Sequence, residues 1–212
     1  MSPRTAKQFE SIREEKKTLI MDTALKQFAN EGFHNTTITR IAKQAGISKG
    51  LLYNYFKSKE ELLFEIVNRS LNEIFVHFDP DKDGYLTEDE FEFFIREIFE
   101  NIRNNLTFWR LFYQLLLQKD VREQFLSSYL GNANSVGQLY TSNISSVLSV
   151  FSRMMMDYFI RKKEKKPAGY DPLLDLNMFI YTIEGFAMLN AYLDEVDQYY
   201  DKSVERIIEL YK

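Results

Sequence analysis

The chain has 212 residues, 45% apolar and 27% charged, with a formal net charge of −4. That composition supports a packed core in one or two domains and argues against wholesale disorder. Cysteine is absent and only His34 and His77 carry imidazole, which excludes disulfides, zinc–thiolate sites and cysteine nucleophiles. The mean charge conceals an asymmetry. Residues 1–70 carry 12 Lys/Arg against 8 Asp/Glu, and the remainder 15 against 23. A basic head on an acidic body suggests that one end meets an anion.

The start, MSPRTAKQFE, has no apolar signal region, and no window approaches the roughly 18 apolar residues of a membrane span. The expectation is a soluble, cytoplasmic protein of a reducing compartment with no membrane partner. Four prolines and eight glycines set among long 3.6-period stretches predict an all-α fold. A first helix is expected over 11–30, with Ile12, Leu19, Ile20, Ala24, Leu25 and Phe28 on one stripe and Gly32 as its stop. Residues 36–56 divide into two very short helices: Thr37 caps one through Ala45, Gly46 breaks it, and Ser48 caps the second. Ser58 caps a longer helix with Glu61 at the capping-box position. These elements are too short to bury cores separately, so Ile38, Ile41, Ala42, Ile47, Leu51, Leu52, Phe56 and Leu62 are expected to share one, making residues 1 to about 70 a module. Further helices are expected over 88–103, 105–119, 121–130, 135–163, 172–193 and 202–211, with a linker at 164–172.

Two short helices joined by a tight turn are what reading a DNA major groove requires, the second helix being slim where it enters. With Ile47 buried in the turn, Lys49, Gly50, Tyr53, Asn54 and Tyr55 are left on the outer face. Lys49 and Lys59 bring positive charge, Tyr53 and Tyr55 hydroxyls for phosphates, and Asn54 an amide for a base edge. Arg4, Lys7 and Arg13 either follow the minor groove or solvate the terminus. Gly46–Gly50 also reads G-x-S-x-G. A hydrolase elbow needs a preceding strand and a histidine partner, and Ser48 follows a helix.

The stretch TTITRIAKQAGISKGLLYNYFKSKEEL closely resembles the DNA-binding domain of TetR-family (TetR/AcrR) transcriptional regulators, over about residues 14–70. The resemblance implies a non-enzymatic regulator: a ligand-responsive repressor that binds a palindromic double-stranded operator as a homodimer and is released by a small-molecule effector. It implies a helix-turn-helix domain over 1–58, with its recognition helix at 48–56, and a helical ligand-binding and dimerisation domain over 59–212. By the same likeness Thr37 and Lys59 hold phosphates at the flanks, while Arg40, Ser48, Lys49, Gly50, Tyr53, Asn54 and Tyr55 lie at the groove.

Residues 79–90, DPDKDGYLTEDE, fit the calcium-loop pattern D-x-D-x-D-G-x5-E. Its ligands would be Asp79, Asp81 and Asp83, the Tyr85 carbonyl, Thr87 through water, and Glu90 bidentate, with Gly84 at the sharp turn. Thr87 and Glu90 also form a capping box, and acidic residues suit a first helical turn without metal. Such loops normally pair, and this chain has one. The loop leaves open a second reading, a calcium-sensing adaptor that acts through helix surfaces without specific DNA recognition.

In the C-terminal body, Trp109, Phe112, Tyr113, Phe151, Met155 and Phe159 form aromatic and methionine stripes that either line a pocket or pack as core. Phe186, Met188 and Leu189 fall on a helix that resembles in position one of the two dimer-forming helices of the family. The cationic run 161–166 reads as a solvated helix end.

Overall fold

The computed structural model describes residues 6–117, 147–165, 168–193 and 198–212. Helices are α1 (Ala6–Glu31), α2 (Ile38–Gln44), α3 (Lys49–Tyr53), α4 (Lys59–Phe75), α5 (Glu88–Asn104), α6 (Leu106–Leu117), α7 (Val147–Lys162, continued by a 3₁₀ turn at Lys163–Lys165), α8 (Pro172–Ala191) and α9 (Tyr200–Tyr211). No strand occurs among the described residues, so the all-α expectation holds. The helix expected over 121–130, and the 135–146 part of the one expected over 135–163, lie outside the described residues. Of the expected linker, 166 and 167 lie outside the described residues; beyond them the chain turns, with Gly169 at φ +97 and Asp171 capping α8 through Leu173 N–H at 3.0 Å.

The chain forms two compact units, Met1–Ser70 and Leu71–Lys212. The division between these units falls inside α4, because the first three turns of α4 belong to the core of the first unit. Leu62, Leu63, Ile66 and Val67 are buried there, and Lys17 pairs with Glu65 at 2.9 Å and Arg69 with Asp22 at 2.6 Å. Around them Ile20, Ala24 and Phe28 of α1, Ile41 of α2, and Leu52 and Phe56 are almost fully enclosed. Each large apolar side chain so buried contributes about 1.5–3 kcal/mol. Two expected core leucines are not in it: Leu19 and Leu51 are exposed, each one helical step off the buried stripe.

The turn between α2 and α3 rests on Gly46, at φ +67 in the left-handed region. Its N–H and that of Ile47 return to the carbonyls of Lys43 (3.2 Å) and Ala42 (3.0 Å).

In the second unit α8 packs against α5, α6 and α7, and α9 against α5. Phe91 of α5 stacks on Tyr158 of α7 at 4.5 Å and 9°, and Phe99 meets Phe186 at 4.9 Å. An ion-pair seam joins α5 to the C-terminus. Arg96 reaches Glu92 at 2.8 Å and Glu205 at 2.9 Å, and Lys212 reaches Glu92 at 2.7 Å. Hydrogen bonds from Lys212 and Arg96 hold the Glu92 carboxyl below its ordinary range.

A Cβ built at Gly46 meets nothing within 4 Å, so Gly46→Ala costs backbone strain alone, roughly 1–2 kcal/mol. Thermal unfolding is expected to show that loss, and Gly46→Asn to show less, since Asn tolerates the left-handed region.

Candidate nucleic-acid interface and acidic loop

The outer surface of α3 follows from its caps. Ser48 Oγ accepts from Leu51 N–H at 3.1 Å and Thr37 Oγ1 accepts from Arg40 N–H at 3.3 Å. Each hydroxyl thereby fixes a helix start and still has its own proton to donate. With Leu52 and Phe56 turned inward, Ser48, Lys49, Gly50, Tyr53 and Asn54 are exposed, Tyr53 at 44%. Lys49 Nζ stands 5.8 Å over the Tyr53 ring. Gly50 leaves open space where a Cβ would project, keeping the helix slim. The helix proper ends at Tyr53, with Asn54 as its αR cap, and is shorter than the expected 48–56. Tyr55 is half-buried against Phe56 at 6.5 Å.

Two expected DNA-facing cations are engaged inside the unit. Lys59 donates to the carbonyls of Phe33 (2.7 Å), Thr36 (3.0 Å) and His34 (3.4 Å), and lies 4.4 Å over the Phe33 ring. An ammonium has three protons. Lys59 therefore staples the start of α4 to the α1–α2 turn, at the flank where the resemblance expects it to hold a phosphate. Arg40 pairs with Glu31, so its charge is neutralised as it stands.

The acidic loop has a cradle shape. Asp79, Asp81 and Asp83 each present a carboxylate oxygen within 4.8 Å of the others. Asp79 Oδ2 accepts from Gly84 N–H at 3.2 Å, Asp81 Oδ1 from Asp83 N–H at 3.3 Å, and Asp83 Oδ1 from Tyr85 N–H at 2.7 Å. Lys82 at φ +60 and Gly84 at φ +76 turn the chain. Asp79 Oδ1 is buried with no hydrogen-bond partner. Glu90 stands apart from the three. Its Oε2 accepts from Thr87 N–H at 2.9 Å and Oγ1 at 2.7 Å, completing a capping box for α5.

The six proposed pocket residues do not come together. Trp109, Phe112 and Tyr113 stack with one another on α6. Phe151 packs on Phe75, Phe78 and Phe94, whereas Phe159 packs on Phe91 and Phe179. Trp109, Tyr113, Met155 and Phe159 are buried, and none of the six lines the cleft of about 530 Å³ bordered by Tyr85, Thr87, Tyr158, Arg161 and Lys162. Met188 and Leu189 are exposed, Leu189 at 70%. Phe186 is half-buried, packed at 4.9 Å on both Phe99 and Tyr200.

Within the cationic run, Arg161 and Lys162 are engaged by the fold, whereas Lys163 is exposed. Arg161 donates to the Leu86 carbonyl at 2.6 Å and to Asp157 at 2.7 Å, and Lys162 donates to the Tyr211 carbonyl. Asp157 lies one turn back on the same helix, whereas the Leu86 and Tyr211 carbonyls lie far away in sequence and are not signalled by spacing.

Residues 20–66 match the family described as bacterial regulatory proteins, tetR family, and residues 70–98 match the EF hand domain. The chain is 52% identical over 54 residues to the HTH-type transcriptional regulator YuxN of Bacillus subtilis, covering 26% of this chain and 19% of that protein. It is 40% identical over 76 residues to an HTH-type transcriptional regulator of Staphylococcus aureus, covering 36% of this chain and 41% of that protein. The matches thus span less than half the length of these curated relatives. Among solved structures, the fold is similar to the transcriptional regulator FadR of Bacillus subtilis in complex with stearoyl-CoA (TM-score 0.68, 19% identity, 92% of this chain and 96% of that one). It is also similar to the fatty acid degradation regulator FadR of Bacillus halodurans (TM-score 0.64, 19% identity, 92% and 94%). The helix-turn-helix segment is thus similar to the tetR family, the fold of the chain is shared with solved transcriptional regulators, and an EF-hand-like segment follows from residue 70.

Proposed function

We propose that the chain is a transcriptional repressor that binds a palindromic operator as a homodimer and is released by a small-molecule effector. The observation that supports this reading best is the two-sidedness of α3: Leu52 and Phe56 are enclosed while Ser48, Lys49, Gly50, Tyr53 and Asn54 face outward. Thr37, Ser48, Tyr53 and Tyr55 hydroxyls and the Lys49 ammonium hold phosphates, and Asn54 reads a base edge. Arg40 joins them on release from Glu31. Selection from a random duplex pool is expected to enrich an inverted repeat. Asn54→Ala blurs preference at one position of each half-site, whereas Lys49→Ala weakens all sequences alike and lowers the salt slope by about 1. Enrichment of no sequence would favour the adaptor reading instead.

The homodimer reading rests on α8. Leu174, Met178, Tyr181, Met188 and Tyr192 recur at helical spacing and are exposed, Tyr181 at 62%, with Gly185 open between them. An apolar stripe of this kind is an interaction surface, and a palindrome needs two heads held at fixed spacing. Tyr181→Glu combined with Met188→Glu is expected to yield a monomer by sedimentation velocity and to abolish inverted-repeat binding.

A bulky apolar effector in the second unit is supported by its aromatic-rich interior and by the likeness to FadR, whose Bacillus subtilis form was solved with stearoyl-CoA. Calcium is a second input. The cradle fits the ion: three carboxylates converge and Asp79 Oδ1 is buried and unpartnered, while Tyr85, Thr87 and Glu90 fill the remaining positions of the sequence pattern. Bound, calcium supplies the charge that offsets three crowded carboxylates. Full ligation requires Glu90 to turn from Thr87 toward the cradle. Calorimetric titration is expected to show one site per chain, and Glu90→Gln to weaken it at least tenfold.

A further inference from the structure

A lone calcium loop lacks the second loop that would ordinarily steady it, and this chain contains only one such motif. The structure supplies a substitute from α7. Leu86 is 1% exposed, and its carbonyl accepts from Arg161 Nη2 at 2.6 Å across 75 residues. The guanidinium carbon lies 3.8 Å from the centre of the Tyr85 ring. Arg161 Nε donates to Asp157 at 2.7 Å, one turn back on the same helix. Three restraints of different kinds thus converge on one side chain. A planar guanidinium can meet two acceptors in its own plane while lying flat on an aromatic ring; an ammonium cannot.

These contacts fall on residues 85 and 86, and Tyr85 supplies the only main-chain ligand in the calcium pattern. The same helix is clasped by both segments that flank the loop. Phe151 packs on Phe78 at 4.6 Å before the loop, and Tyr158 stacks on Phe91 at 4.5 Å after it.

We infer that Arg161 is the positioning residue of the calcium loop: it pins the Tyr85–Leu86 segment from outside, so that the Tyr85 carbonyl is presented to the ion. The inference rests on the calcium reading above. Its sign is diagnostic, because a cation near three carboxylates opposes a second cation. If charge alone counted, removing Arg161 would tighten calcium binding. As a positioning group, its removal loosens it.

The test uses the full chain and the Arg161→Lys, Arg161→Gln and Glu90→Gln variants. Calcium affinity is measured by calorimetry, and terbium luminescence sensitised by Tyr85 reports the ion's placement beside that residue. Metal-free helicity is expected to be unchanged, since the side chain of Arg161 is 30% exposed and lies at the edge of the fold. Both Arg161 variants are expected to weaken calcium about tenfold, in the range seen for outer ligand-orienting groups, and to lower the terbium emission per bound ion. Unchanged affinity in Arg161→Lys with tighter binding in Arg161→Gln would overturn the positioning role and leave only repulsion. Equal affinity and emission in all Arg161 forms would overturn it as well. Absence of binding by the wild-type chain would instead remove the calcium reading, an outcome separable from the others because the Arg161 variants are then irrelevant.

Discussion

Helices of seven and five residues do not persist alone in water. α2 and α3 exist because Ile38, Ile41, Leu52 and Phe56 close a core shared with α1 and the first half of α4. The same burial determines which residues of α3 remain outside, so the chemistry of the outer face is a by-product of the packing within. Lys59 reinforces this by binding the carbonyls that follow α1. A positive charge is thus part of what shapes the outer face of α3.

The second unit is organised around a different tension. Glu90 is the third residue of α5, where its carboxylate completes the cap on Thr87. It is also the twelfth residue of the calcium pattern, where both oxygens would face the ion. One carboxylate cannot fully do both, so ion binding and the start of α5 compete for the same group. α5 in turn carries Phe91 and Phe94 against α7 and Phe99 against Phe186 and Tyr200. The helix that begins at this cap thus carries much of the unit's aromatic core.

The helix-turn-helix was legible in the sequence because its determinants are local. Thr37, Gly46 and Ser48 each act on residues within a few positions, and the caps and the left-handed turn are where spacing places them. The acidic loop was legible for the same reason. Contacts between distant segments were not. Lys59 meets carbonyls 23–26 residues away, and Arg161 one that is 75 away, so spacing signalled neither contact. Helix α8 shows a third limit. It is apolar on nearly every side, and periodicity then says little about which side faces out. Phe186 is half-buried against Phe99, while Met178 and Tyr181 are exposed and were not singled out.

The chain has one tryptophan, and its placement is informative. Trp109 Nε1 donates to Asn101 Oδ1 at 3.1 Å, tying α6 to the far end of α5, and its ring stacks on Tyr113, whose hydroxyl reaches Glu184 of α8 at 2.8 Å. The indole thus stands where three helices meet, at the opposite end of α5 from the acidic loop. Its emission is a built-in optical gauge of how α5, α6 and α8 lie against one another, readable without any label.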